Sequence, residues 1–112
     1  MENKNKIILK KMIKHTNKIL THTADMSYEE FSEDEILVDA CVFNLAQIGE
    51  LSNNVDKAFE TEHTEIPWRI LYGLRNRIFH DYEGINLLLI WEIITDDLPV
   101  LLENIKSVYD RI

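Results

Sequence analysis

Four side chains that could handle a phosphodiester lie within eight residues of one another: Arg75, Asn76, His80 and Tyr82. A planar guanidinium presents paired donors to phosphate oxygens, and an imidazole can take or give a proton near neutral pH. A neighbouring amide can orient either group by hydrogen bonding. These residue types at this spacing therefore indicate phosphodiester chemistry.

The spacing limits how a single helix could use Arg75 and His80. Each residue of an ideal helix turns by about 100°, so side chains five positions apart diverge by roughly 140°. Two arrangements would bring them together. The helix could unwind by His80, which Asp81, Glu83 and Gly84 favour, or a second copy of the chain could supply the missing group across a symmetric interface. We expect a mixture of both.

The pattern Arg75-x4-His80-x-Tyr82, with Asn76 directly after the arginine, resembles the R-x(4-6)-H signature of HEPN domains, in the R-x4-H-x-Y form of HepT-like toxins. The resemblance covers most of the chain and includes residues 44–50, 66–69, 91–94 and 97–99. It implies an all-α fold, an antiparallel up-and-down bundle of four to five helices. We expect residues 1–112 to form one such domain.

The resemblance also implies an activity: a metal-independent endoribonuclease toxin of a type VII-like toxin-antitoxin pair, without a cofactor. Arg75 would stabilise charge growing on the phosphate, and His80 would act as general base or acid around the ribose 2′-hydroxyl. Asn76 would orient the phosphate or His80. The toxin would be a homodimer whose active groove lies at the two-fold axis.

Tyr82 has two interpretations. Taken alone, it is an amphipathic aromatic residue that closes a helix end. In HepT-like toxins, however, a minimal nucleotidyltransferase antitoxin of the MntA type attaches AMP to the tyrosine of this motif. The resemblance therefore implies that Tyr82 becomes O-AMP-tyrosine, a bulky anion that would block RNA and repel its phosphates.

Two other functions stay open. A non-catalytic subunit of a two-component nucleotidyltransferase could use Arg75 and His80 to hold a nucleotide phosphate, and so present a substrate or nucleotide to its partner. A purely structural bundle would leave the cluster unexplained.

The charge distribution bears on RNA as a partner. A net charge of −8 argues against nucleic-acid binding by bulk electrostatics. Residues 1–24, however, hold six lysines against one acid, for +5, and residues 67–82 hold three arginines against one acid, for +2. Residues 25–66 hold twelve acids against one lysine, for −11. RNA could meet a local positive groove, or the lysine face could simply be solvated or pair with the acidic second helix.

Hydrophobic spacing predicts four helices. The first runs from about residue 5 to 24, and a polar stretch at residues 25–31 ends it. The second begins at a capping box at residues 32–35 and continues to about residue 59. Gly49 in this helix predicts close approach of a neighbouring helix, because glycine in a helix interior otherwise costs about 1 kcal/mol.

The third helix is predicted to begin at Pro67, a residue favoured at the first helical position. The fourth covers residues 86–112, where Pro99 should kink it or split it near Asp96. The core stripe of the third helix would consist of Ile70, Leu71, Leu74 and Ile78.

Further residues predict structural roles. The lone Cys41 cannot form an intrachain disulfide and is expected to be a core thiol. The residues near the N-terminal end contain no apolar run of membrane-spanning length. Together with the lone cysteine, this favours a reducing cytoplasm and no membrane partner. Trp68 and Trp91 are expected to be core or interface anchors and not base-stacking platforms. Glu50 is either a partner of the motif arginine or a surface residue.

No metal site is expected. Glu60 and His63 form a Glu-x-x-His pair, but the chain contains no second copy of it. His15 and His22 lie seven apart without a carboxylate at the neighbouring helical positions, and a divalent metal needs three or four converging ligands.

Overall fold

The computed structural model describes residues 3–78 and 86–112. Within them the chain is helical and contains no strand, so the predicted all-α class is confirmed. The helices are α1 (Lys4–Thr23), α2 (Tyr28–Glu33), α3 (Glu35–Ser52), α4 (Lys57–Glu62), α5 (Trp68–Tyr72), α6 (Leu74–Ile78), α7 (Leu87–Glu92), a π-helix (Ile93–Asp97) and α8 (Leu98–Arg111).

Helix α1 matches the predicted first helix to within a residue at each end. It packs against α3 and α8, and the side chains at helical spacing face the core: Ile8, Met12, Ile19 and Thr23 are buried and His15 is half-buried. The start of α1 is tied to the loop before α4. Asn5 Nδ2 donates to Asp56 Oδ2 at 3.2 Å, and the Asp56 backbone N–H donates back to Asn5 Oδ1 at 3.2 Å.

The predicted start of the second helix was wrong. A separate helix, α2, occupies the stretch expected to be a break, and its capping box consists of Ser27 and Glu30: Glu30 N–H donates to Ser27 Oγ at 3.1 Å, and Ser27 N–H donates to Glu30 Oε1 at 2.9 Å. The Ser27 backbone N–H lowers the pKa of Glu30. Ser32 instead donates to a carbonyl within α2. The fully buried Phe31 explains why α2 forms, because it fixes the helix on the core.

The predicted end of the second helix was also wrong. Helix α3 begins after Asp34, whose carboxylate accepts the Leu37 N–H at 3.0 Å, and ends at Ser52. Residues 53–56 form a turn, and α4 then carries Phe59. Asparagine at two successive positions disfavours the helix, and Asp56 is held by Asn5 instead. The buried positions continued beyond the helix, which is why their spacing resembled one long helix.

The predicted third helix is divided at Gly73 into α5 and α6, each five residues long. Of the expected stripe, Leu71, Leu74 and Ile78 are buried, but Ile70 is 55% exposed. Gly73 is the weakest helix former in the segment, which explains the position of the break.

The fourth predicted helix is interrupted just before Pro99, as expected. Residues Ile93–Asp97 form a π-helix, and the Leu98 N–H donates to the Ile93 carbonyl five residues back. Proline has no N–H for the normal ladder, and a wider turn before it accommodates this loss. The predicted interruption near Asp96 is confirmed.

One buried cluster joins α1, α3, α6 and α8, and its fully buried large side chains include Leu9, Met12, Leu45, Ile48, Ile78 and Ile105. None of the described helices is both long enough and apolar enough to cross a membrane.

Candidate functional site

Helix α6 presents the first half of the motif to solvent. Leu74 and Ile78, four residues apart, are 2% and 0% exposed, so one side of the helix is fixed on the core. Arg75 and Asn76 lie between them and are both exposed. A helix of five residues has little stability of its own. The position of these two polar groups therefore depends on the packing of Leu74 and Ile78.

Gly49 of α3 lies directly behind this segment. A Cβ atom built on Gly49 would lie 3.1 Å from the Leu71 backbone oxygen and 3.7 Å from Leu74 Cβ. The predicted close approach is confirmed, and the neighbouring elements are α5 and α6. The missing side chain at Gly49 lets the site-bearing segment lie close against α3.

His80 and Tyr82 lie outside the described residues. The described residues that flank the range 79–85 lie next to each other, because the Asn86 N–H donates to the Ile78 carbonyl at 3.2 Å. Asn86 also caps α7, as its side chain accepts the Leu89 N–H at 3.1 Å. Asn86, at the start of α7, therefore lies at the C-terminal end of α6.

A groove of roughly 530 Å³ runs beside the motif segment, between α5–α6 and the π-helix with α8. Its lining is largely apolar and includes Leu71, Leu74, Ile93, Leu98 and Leu101. Ile70 and Val100 also line it and are 55% and 56% exposed. Exposed aliphatic side chains in a groove are typical of a surface that contacts another molecule.

The two rims of this groove carry opposite charges. Arg69 and Arg77 stand on the α5–α6 side, and Asp96 and Asp97 on the π-helix side. In the part of the chain that the structure describes, the ion pairs join other residues, so the rims do not neutralise each other by direct pairing. The sequence indicated only that Arg69 and Arg77 contribute to a locally positive segment. Their place on the groove depends on the break at Gly73 and on the π-helix.

The tryptophans have the predicted structural roles. Trp68 is buried and its Nε1–H donates to the His63 carbonyl at 2.9 Å. Trp91 is half-buried and packs against Phe31 and Tyr28, with ring centroids 5.0 and 6.4 Å apart. Neither indole is a free platform for a base.

Cys41 is buried, as predicted, and burial raises the pKa of its thiol to about 11, with Asp34 adding to the effect. Such a thiol is protonated at neutral pH and unreactive. Glu50 is exposed and forms no ion pair with Arg75, so the surface interpretation of Glu50 is confirmed.

Two histidines outside the motif have partners within the protein. His15 Nδ1 donates to Asn44 Oδ1 at 2.8 Å, and the His63 ring packs on Phe59 with centroids 4.3 Å apart. Glu65, close to His63, has a lowered pKa because Arg111 donates to its carboxylate. Within residues 3–78 and 86–112, no three His, Cys, Asp or Glu side chains lie close enough to hold a metal ion.

Comparison with known proteins identifies the family. Residues 12–108 match the family model described as Ribonuclease HepT-like. The chain belongs to this family. The resemblance to HepT-like members of the HEPN superfamily, noted from the motif, is thereby confirmed.

Individual relatives agree with this assignment. A protein of Caldanaerobacter subterraneus subsp. tengcongensis, provisionally named an RNase, is 32% identical over 83% of each chain. A Methanocaldococcus jannaschii protein, also provisionally named an RNase, is 30% identical over 92% of this chain and 94% of its own. A protein of Thermococcus cleftensis, provisionally named a ribonuclease HepT, is 33% identical over 70% of this chain and 72% of its own. No solved structure matches the chain.

Proposed function

We propose that this HepT-like protein is a metal-independent endoribonuclease, the toxin of a type VII-like toxin-antitoxin pair in the cytoplasm. Membership of the Ribonuclease HepT-like family carries the proposal. The exposure of Arg75 and Asn76 on a helix that its neighbours hold firmly on the core supports it.

The proposed reaction uses the RNA's own 2′-hydroxyl as nucleophile. His80 takes the proton of this hydroxyl as the 2′-oxygen attacks phosphorus, and the bond from phosphorus to the 5′-oxygen breaks. The leaving 5′-oxygen receives a proton from the same or a second His80. Arg75 stabilises the charge that grows on the phosphate oxygens, and Asn76 orients the phosphate or His80. The products carry a 2′,3′-cyclic phosphate and a 5′-hydroxyl, and DNA is not a substrate.

Mapping of RNA ends after incubation in chelator tests the reaction. Wild-type protein should yield cyclic-phosphate ends, and His80→Ala and Arg75→Ala should each lower the rate by about 100-fold or more. His22→Ala is the matched control, because His22 is an exposed histidine at the end of α1. Absence of His80-dependent cleavage would overturn the nuclease assignment. Nucleotide binding without cleavage would then favour a non-catalytic partner of a nucleotidyltransferase.

We further propose a homodimer formed through the groove between α5–α6 and α8. A two-fold interface brings the same patch of both copies together, so the arginine rim of one copy would face the aspartate rim of the other. The exposed Ile70 and Val100 would be covered in the same contact. The groove adjoins α6, so the contact would bring the two motif segments near each other and supply a second copy, one of the two arrangements by which Arg75 and His80 could act together.

Light scattering tests the dimer and its location. Ile70→Asp should convert the dimer to a monomer and lower cleavage with it. Ile36→Asp makes the same change at a side chain that is 84% exposed on α3, away from the groove, and should leave the dimer intact. A wild-type protein that is monomeric at micromolar concentration would contradict the composite site.

Tyr82 is proposed to be the site at which an MntA-like nucleotidyltransferase antitoxin attaches AMP. The added phosphate and nucleoside would occupy the RNA path beside His80 and repel the substrate's phosphates. Incubation with the antitoxin and ATP should raise the mass of wild-type protein by AMP and stop cleavage. Tyr82→Phe should remain unmodified and active, and AMP incorporation into that variant would refute the assignment.

A further inference from the structure

The lysines of α1 form a line on the protein surface. Lys10, Lys14 and Lys18 follow at four-residue intervals, which places their Cα atoms about 6 Å apart along the helix axis. Lys11 stands beside them. All four side chains are exposed, and α1 contains no acidic residue from Lys4 to Thr23. These four residues are called the lysine ridge.

The ridge points away from the bundle. Helix α1 buries Met12 and Thr16 against α3 and α8. At about 100° per residue, Lys10 and Lys14 lie roughly 160° from Met12, on opposite sides of the line directly away from the core. The ridge therefore lies on the exposed side of α1.

The other two lysines of α1 have structural partners. Lys4 pairs with Asp56 at 3.2 Å, and Lys6 donates to the Ile112 carbonyl at 3.3 Å while its ammonium lies 4.9 Å from the Tyr109 ring centroid. The ridge residues form no ion pair with any residue in 3–78 or 86–112. Like charges four apart also destabilise a helix by about 0.2–0.5 kcal/mol per pair. A bound polyanion would neutralise these charges, and the relief of their repulsion would favour binding.

We propose that the lysine ridge binds the sugar-phosphate backbone of the RNA substrate outside the cleavage site, an inference that rests on the proposed ribonuclease function. A regular row of cations suits a polymer that carries its negative charges in a regular row. The remaining charge of the chain is strongly acidic and repels RNA, so the ridge would also determine the direction from which RNA approaches.

The test is the salt dependence of RNA binding. The probe is a single-stranded RNA of about 20 nucleotides, bound by protein that carries His80→Ala so that the RNA stays intact. Each phosphate contact contributes about 0.7 to the slope of log K against log salt concentration for single strands. Lys10→Gln, Lys14→Gln and Lys18→Gln together should lower the slope by about 2 and weaken binding at 0.1 M salt by up to about 100-fold.

Three controls identify the cause. The same three positions changed to arginine should keep the wild-type slope, because the charge is retained. Lys57→Gln with Lys106→Gln removes exposed lysines outside α1 and should change the slope little. Circular dichroism of each variant verifies that the helix content of the protein is unchanged.

The outcomes separate the ridge from the ribonuclease. His80-dependent cleavage by the wild type, together with an unchanged slope in the glutamine variant, would overturn the ridge and leave the nuclease standing. A reduced slope without cleavage by the wild type would support the ridge as an RNA-binding surface and overturn the nuclease. Loss of binding to an acidic protein partner with an unchanged RNA slope would show that the ridge serves a protein, and would also overturn the proposal.

Discussion

The two basic regions of this acidic chain, α1 and the α5–α6 segment, are built in different ways. Helix α1 is 20 residues long and uninterrupted, and its exposed lysines are spread along its outer side. The α5–α6 segment consists of two five-residue helices separated by Gly73, with Arg69, Arg75 and Arg77 within nine residues.

In the functions proposed above, this difference corresponds to two kinds of interaction with RNA. Lysine is a flexible point charge that suits contact with a backbone wherever it passes, whereas arginine has a planar fork that suits one phosphate in a defined place. A long helix can present a line of charge without precise placement. The arginine segment needs exact placement, and it obtains this from Gly49, Leu74 and Ile78 and not from helix length.

The strongest test of this contrast is truncation of the anchor of α6. Leu74→Ala should lower the free energy of unfolding by about 2–5 kcal/mol, because it removes a buried side chain and leaves a cavity. Ile70→Ala, on the exposed side of α5, should change monomer stability by about 0.5 kcal/mol or less. Urea denaturation measures both. Equal stability of the two variants would mean that α6 is not held by the core.

A second test compares Gly49 with Gly73. Gly49→Val should cost about 1–3 kcal/mol and displace α6, because even a Cβ atom there would lie 3.1 Å from the Leu71 oxygen. Gly73→Ala should be neutral or stabilise by up to about 1 kcal/mol, since the nearest atom to its Cβ would be 3.9 Å away and its φ of −88° suits alanine. Thermal unfolding distinguishes them. A destabilised Gly73→Ala would indicate that the break between α5 and α6 needs glycine itself.

The capping serine between α1 and α2 provides a smaller effect outside both basic regions. Ser27→Ala removes the acceptor of the Glu30 N–H and should destabilise the protein by about 1 kcal/mol. Ser32→Ala, at the position that the sequence pattern suggested, should have an effect near zero. The shift in the urea midpoint decides between the two, and a larger loss at Ser32 would contradict the capping box at Ser27.

The effect that is smallest at neutral pH comes from Cys41, because it appears only in alkaline solution. Burial raises the pKa of the thiol to about 11 in the folded protein, whereas its reference pKa is 9.0. Ionisation of the thiol therefore favours the unfolded chain. The free energy of unfolding should therefore fall as pH rises from about 9 towards 11, and Cys41→Ala should lack this part of the decrease. Denaturation at pH 8 and 10 measures it. Rapid reaction of the native thiol at pH 8 would contradict the buried assignment.

The sequence by itself determined the all-α class, the extent of α1, the interruption at Pro99, the structural roles of Cys41 and the tryptophans, and the HepT-like motif. These features depend on local rules: helical periodicity, the missing N–H of proline, and residue types at fixed spacing. The close contact at Gly49 could be predicted for the same reason, because a glycine inside a helix needs a packing partner.

Only the tertiary structure decided where α3 ends, that α2 forms, and that Ile70 of the motif segment is exposed. Asp56 is hydrogen-bonded to Asn5, 51 residues away in the chain. Helix α2 forms because Phe31 is buried in the core. Ile70 belongs to the apolar stripe by spacing, but the break at Gly73 and the π-helix leave it on an open groove. Each of these outcomes depends on contacts between residues far apart in the sequence, and periodicity within one segment does not contain that information.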